Sequence, residues 1–129
     1  MRRRMLGGKI HRATVTGACV DYEGSVSVDS LLLEAAGMIE HEAIEVWNVT
    51  TGARLTTYAL ASTPGSGTVC LNGSAAHHAS VGDLVILATF VDIDDAEAAS
   101  WRPHVVFVDA ENRVRAKRLE RPFTSWAAE

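Results

Sequence analysis

Apolar and polar residues alternate in short runs along most of the chain, and this period of two constrains the fold more than any other feature. Between Lys9 and Thr16 the alternation sets Lys9, His11 and Ala13 on one side and Ile10, Arg12 and Thr14 on the other. Successive side chains of a strand point to opposite faces, so the run reads as a strand with polar groups on both faces. Ala18 to Tyr22 makes a second short strand, and Ser25-Val26-Ser27-Val28 alternates again after a Glu23-Gly24 turn. Read locally, Gly24-Ser25 sits at the tip of a hairpin. The clearest hairpin lies further on, where Ala43 to Val49 and Arg54 to Leu60 flank Thr50-Thr51-Gly52. Leu84 to Val91 is a continuous apolar run, as a fully buried strand requires, and His104 to Val108 and Arg113 to Arg115 add two more.

Helical signals are few. Asp29-Ser30 offers capping side chains before Leu31 to Ala36, with Gly37 as a stop, and Ser74 to His78 suits a single turn. Asp92 to Ser100 is acidic and alanine-rich and reads as a short helix or loop. Short strands with regular turn signals predict an all-β fold with a few short helices, a barrel or a sandwich. The 129 residues suit one domain with one core, ending in a frayed tail from about Arg121.

Composition narrows the function. A net charge of −4 gives no reason to expect nucleic acid, and no basic patch is interleaved with aromatics. Arg2-Arg3-Arg4 reads as a solvated end; no long apolar segment follows it, so no signal peptide is expected. No run approaches the ~20 apolar residues of a membrane span. Cys19 and Cys70 lack paired metal spacing and are expected as reduced core thiols of a cytoplasmic protein. His77-His78 has no acidic or cysteine partner at ligand spacing, so no metal site is expected.

The common catalytic templates leave alternatives open. His11, His41, His77, His78 and His104 are all available to a Ser-His-Asp triad, yet no Gly-x-Ser-x-Gly elbow is present. What remains is a set of polar residues on strands. Lys9 and His11 share one face, and Arg54 and Tyr58 share another, with Thr57 opposite. By themselves these describe a small β-domain with a polar cleft.

Six segments in order carry more. Lys9-Ile10-His11-Arg12, Tyr22-Glu23-Gly24-Ser25, Trp47-Asn48-Val49-Thr50-Thr51-Gly52-x-Arg54-x-x-Thr57-Tyr58-Ala59 and Asn72-Gly73-x-Ala75-Ala76 are followed by Ala79-Ser80-Val81-Gly82-Asp83 and Trp101-Arg102-Pro103. In order and spacing the set resembles the pyruvoyl-dependent aspartate 1-decarboxylases, which make β-alanine for pantothenate. Ser74 stands where many members have alanine, and Leu55 replaces a frequent aromatic.

The resemblance implies a six-stranded double-psi β-barrel and a homotetramer with active sites between subunits, an arrangement that would account for polar residues on both faces of the first strand. It implies that Ser25 attacks the Gly24 carbonyl, that an ester forms, and that elimination separates residues 1–24 from 25–129. Hydrolysis of the resulting dehydroalanine leaves a pyruvoyl group, the covalent cofactor, which holds substrate L-aspartate as a Schiff base. Glycine at position 24 is expected to permit the strained backbone that exposes its carbonyl. Thr57 is implied to polarise that carbonyl. Tyr58 is implied as the proton donor, and Arg54 as the grip on the retained β-carboxylate through two parallel hydrogen bonds. Lys9 adds positive charge, while His11, Trp47, Asn72, Gly73, Ser74 and Ala75 line the site. A maturation factor remains open. Two rivals differ in class: a hydrolase with a free amino-terminal serine, and a double-psi barrel that binds without catalysis. Only the pyruvoyl form has a ketone for a carbonyl reagent to trap.

Overall fold

The computed structural model describes residues 1–120. The expected frayed tail from about 121 lies outside the described residues. In chain order the strands are β1 (Arg2–Thr14), β2 (Gly17–Cys19), β3 (Ser25–Asp29), β4 (Ala43–Asn48), β5 (Arg54–Ser62), β6 (Val69–Asn72), β7 (Leu84–Asp94), β8 (His104–Val108) and β9 (Val114–Lys117). Helix α1 (Ser30–Ala35) follows β3, a 3₁₀ turn (Gly73–His78) follows β6, and α2 (Asp95–Ala98) follows β7. The all-β class with few short helices is what the alternating sequence dictates. The strands hydrogen-bond in the order β2-β6-β3-β5-β4-β7-β1-β8-β9, nine among the described residues against the six expected. Only Val15 and Thr16 separate β1 from β2, although the two stand far apart in that order.

One face of the strands forms the core. Ile10, Val26, Val28, Ile44, Val46, Val69, Leu71, Val85 and Leu87 are all fully buried. Burying such a side chain stabilises by about 1.5–3 kcal/mol. The expected hairpin is present: β4 and β5 pair antiparallel, with Ile44 opposite Thr57 and Trp47 opposite Arg54. Asp29 starts α1 by accepting from the Leu31 amide at 2.9 Å, and the same carboxylate accepts from the Gly65 and Gly67 amides. One buried side chain thus caps the helix and ties down the 62–67 loop.

Several local readings give way to tertiary pairing. β1 begins at Arg2 rather than Lys9, because Arg2 to Leu6 pair with β7, which itself runs on to Asp94. The arginines are solvated and also ion-paired, Arg2 with Asp94 and Arg3 with Asp95. Strict alternation fails within β1. One register shift against β7 lies between Leu6 and Gly8; at a second, Ile10 pairs with Leu87 but Ala13 with Val85, so β1 carries one extra residue there, and Arg12 takes a φ of 59°. This is a β-bulge. It turns Ala13 and Val15 inward in place of Arg12 and Thr14, so the bulge accounts for the polar groups that seemed to occupy both faces. The second strand ends at Cys19, leaving Val20 and Tyr22 exposed. Gly24-Ser25 is not a hairpin tip either: β6 lies between β2 and β3, parallel to the first and antiparallel to the second. Both cysteines are half-buried free thiols rather than core residues.

Candidate active site

The insertion of β6 builds the site. Across β2, β6 and β3, Cys19 pairs with Asn72 and Asn72 with Ser25. One step along, Gly17 pairs with Cys70 and Cys70 with Ser27. Cross-strand partners share a face, and residues two apart share it too, so these six positions form one patch. It faces away from the core, since Val26 and Val28 between them point inward. Ser25 is 1% exposed, and its Oγ accepts from Asn72 Nδ2 at 3.0 Å. The same Nδ2 donates to Ser27 Oγ at 3.0 Å, while Asn72 Oδ1 accepts from the Cys70 thiol at 3.4 Å. A cavity of about 640 Å³ adjoins Ser25 and Asn72, with Tyr22, Glu23, Ser62 and Thr68 among its other walls.

Gly73 closes the back of this patch. Its φ is +64°, and an added Cβ would stand 2.7 Å from Gly24 Cα and N and 2.8 Å from the Tyr22 carbonyl oxygen. Only glycine fits there. Gly24 differs from expectation: it is not among the glycines with positive φ, and a Cβ built on it meets nothing within 4 Å. Backbone strain and close approach therefore belong to Gly73, which presses on Gly24, and not to Gly24 itself. Ala75 is buried behind the 3₁₀ turn, and Ser74 is exposed on it.

β5 runs parallel to β3 with Val26 opposite Ala59, so Thr57 and Tyr58 precede that pair as Gly24 and Ser25 do. Thr57 lies opposite the buried Ile44, on the core side; Tyr58 lies opposite the exposed Ala43, on the outer side with Ser25. The Tyr58 ring sits 6.3 Å from the His41 ring.

The remaining expected residues lie elsewhere on the outer face. The Arg54 guanidinium stacks 4.7 Å over the Trp47 ring, which is tilted against Phe90. Trp47 Nε1 is buried and makes no hydrogen bond among the described residues. Lys9 and His11 sit on β1, between β7 and β8. Burial pushes the Lys9 ammonium below the usual lysine value, while its ion pair with the Glu120 carboxylate works the other way by favouring the charged form. His11 is lowered to about 4, first by burial and then by the charges of Lys9, Arg12 and Arg118. Its imidazole is therefore neutral at pH 7, packed edge-on against Phe107. The structure thus joins Ser25, Asn72 and Gly73 around Gly24, and separately joins Arg54 with Trp47 and Lys9 with His11.

Sequence reasoning missed Ser27 and Cys70, which share the Asn72 amide. The alternation in Ser25-Val26-Ser27 already placed Ser27 beside Ser25; nothing local placed Cys70 there.

The chain is similar to known proteins over most of its length. The aspartate decarboxylase family pattern matches residues 1–115. An aspartate 1-decarboxylase of Myxococcus xanthus (strain DK1622) is 59% identical, covering 88% of this chain and 88% of its own. Those of Syntrophotalea carbinolica (strain DSM 2380 / NBRC 103641 / GraBd1) and Burkholderia vietnamiensis (strain G4 / LMG 22486) are each 50% identical, covering 95% and 98% of this chain and 93% and 99% of theirs. A computationally designed protein, msDPBB_sym2, aligns with 66% of this chain and 96% of its own, with a TM-score of 0.43 and 16% identity. The family match and these relatives define the class, a lyase that decarboxylates an amino acid, here on a chain built mostly of β-strands. The chain belongs to the aspartate decarboxylase family, and its reaction is the decarboxylation of aspartate.

Proposed function

We propose that the protein is an L-aspartate α-decarboxylase yielding β-alanine and CO₂ for pantothenate and coenzyme A synthesis, and that it makes a pyruvoyl cofactor from Ser25. The observation that carries this reading is Ser25 itself, buried at the start of β3, directly after Gly24, with its Oγ held by Asn72. A serine Oγ reaches the preceding carbonyl carbon through a small ring. Attack there forms the Gly24–Oγ ester and breaks the Gly24–Ser25 peptide bond. Loss of the Ser25 Cα proton then expels the Gly24 carboxylate from Cβ, leaving dehydroalanine. Addition of water and loss of ammonia complete the ketone. Thr57, on the core side beside Gly24 in the β3–β5 register, is the donor for the oxyanion that attack creates.

The site fits the group. A pyruvoyl is no larger than the serine it replaces, since Oγ leaves with the Gly24 carboxylate and the ketone oxygen takes the place of the nitrogen on Cα, so the space that holds the buried Ser25 also holds the group. Once present, the group supplies the electron-withdrawing ketone that takes up the pair left by CO₂. The chain's own side chains do the rest. Arg54, held flat over Trp47, grips the retained β-carboxylate with its fork. Tyr58, on the same face as Ser25, holds the proton for the new carbanion. Lys9 adds positive charge, and His11, neutral, lines the site with Trp47, Gly73, Ser74 and Ala75.

We infer the assembly from the same face. Lys9, His11, Trp47 and Arg54 lie on the outer side of β1, β4 and β5, and the Ser25 patch lies on the outer side of β3 and β6. A site drawn from both parts is complete when the outer face of one copy meets that of another, as in a homotetramer. Because β1 leads into β2 after two residues, the order β1/β2-β6-β3-β5-β4-β7 returns to β1, a six-membered ring that supports a double-psi barrel. We read the chain as one cytoplasmic domain cut into residues 1–24 and 25–129.

Intact-mass measurement tests the cleavage. Purified active protein should contain fragments 1–24 and 25–129, the second lighter than a serine-headed chain by one ammonia and able to trap a carbonyl reagent. Ser25→Ala should give a single inactive chain; normal cleavage in that variant sinks the scheme. A purified chain that cleaves unaided needs no maturation factor.

A further inference from the structure

Of the two cations in the proposed site, Arg54 meets an aromatic face, and only Lys9 is paired with a carboxylate among the described residues, that of Glu120. Tertiary structure builds this pair across 111 positions of sequence (120 − 9). β8 lies beside β1, with Val105 opposite Lys9 and Phe107 opposite His11. The Arg118 amide donates to the Val105 carbonyl at 3.0 Å, and the Arg118 guanidinium lies 4.0 Å over the Phe107 ring. Arg118 therefore sits on the far side of β8 from β1, level with Lys9 and His11, and two residues later the Glu120 side chain reaches back to the ammonium.

The two partners differ in freedom. The Lys9 side chain is 12% exposed and that of Glu120 49%. Burial makes an unpaired ammonium costly, so Lys9 calls for an anion, whereas a half-exposed carboxylate loses little by turning into water. No hydrogen bond among the described residues fixes Glu120. Its carboxylate is thus a replaceable anion on a cation that keeps its place. Aspartate arrives with the same chemical group, and with Glu120 in place it meets a lysine whose charge is already neutralised.

We propose that Glu120 makes an autoinhibitory contact: its carboxylate holds the Lys9 ammonium in the absence of substrate and gives way when aspartate brings its own carboxylate. This rests on the reading of Lys9 as a site residue. A contact broken before the chemistry appears in KM and not in kcat. On the full, processed enzyme, with active sites counted by a carbonyl reagent, Glu120→Gln should lower KM for aspartate about two- to five-fold at unchanged kcat, the range of a weak, part-exposed ion pair. The Lys9 ammonium, followed by its ¹³Cε signal, should titrate at lower pH in that variant, because its charged form loses a partner. A KM that stays the same or rises in Glu120→Gln overturns the proposal; a rise would make Glu120 a support for Lys9 instead of a competitor. An unshifted Lys9 titration also overturns it, since the pair would not exist in solution. Lys9→Met separates the two readings. If that variant keeps the parent KM and kcat, Lys9 lies outside the site, and the site reading falls together with the proposal. If it turns over poorly while Glu120→Gln matches the parent, the proposal falls alone.

Discussion

Thr57 and Tyr58 are neighbours in sequence on opposite faces of β5, so replacing each should break a different step. Tyr58→Phe removes one hydroxyl, which makes no hydrogen bond among the described residues, and leaves the half-buried ring beside His41. Such a change should alter stability by no more than about 0.5 kcal/mol, or roughly 3 °C in Tm for a chain of this size. Thr57→Val exchanges a hydroxyl, also unbonded among the described residues, for a methyl facing Ile44, and should stay within about 1 kcal/mol. Neither variant should therefore unfold, and differences in chemistry can be read directly. Cleavage needs an attacking Ser25 and a polarised Gly24 carbonyl; Tyr58, on the outer side, serves neither. Reprotonation needs a donor within hydrogen-bond reach, and losing one costs ~10²–10⁴-fold, or about 3–5 kcal/mol of barrier. Tyr58→Phe should process at the parent rate, trap a carbonyl reagent and make little β-alanine. Thr57→Val should process slowly or not at all. Fragment yield by mass and β-alanine release, measured on both variants after melting curves show them folded, decide the matter. A Tyr58→Phe protein that stays uncut, or that cuts and turns over fully, refutes the assignment.

Arg54→Lys keeps a charge but loses the planar fork stacked on Trp47, so aspartate turnover should fall sharply while cleavage survives; unchanged turnover removes Arg54 from the site. His11 gives a pH signature. Its folded value of about 4 lies below the usual 6.5, so the unfolded chain takes up the proton first as the pH falls. Stability contributed by the neutral ring is full above 6.5, declines between 6.5 and about 4, and does not change further below that. Asp83 and Asp109, held below the usual carboxylate value by hydrogen bonds, act at lower pH. His11→Gln should therefore flatten the fall of Tm between those two values, and an equally steep fall in the variant would show that His11 does not titrate as described.

Period two was legible outside the bulge and told which residues share a face: Lys9 with His11, Arg54 with Tyr58, Ser25 with Ser27. Local chemistry was equally legible in the Asp29 cap of α1 and in the β4–β5 hairpin, because both are decided within a few residues. Gly24-Ser25 and its companions could be singled out by type and order alone. Which strands become neighbours is a different question. It is answered by how the whole apolar set buries itself, and a period of two is compatible with many pairings. That is why a hairpin seemed to join residues 18–22 to Ser25, when β6 in fact lies between and brings Asn72 and Cys70 to the serine. The bulge at Arg12 was hidden for the same reason, since the extra residue appears only against the spacing of β7. Gly73 shows the division most directly: the sequence placed it in a segment of the family, but the need for glycine arises from the Gly24 backbone packed 2.7 Å from where a side chain would begin.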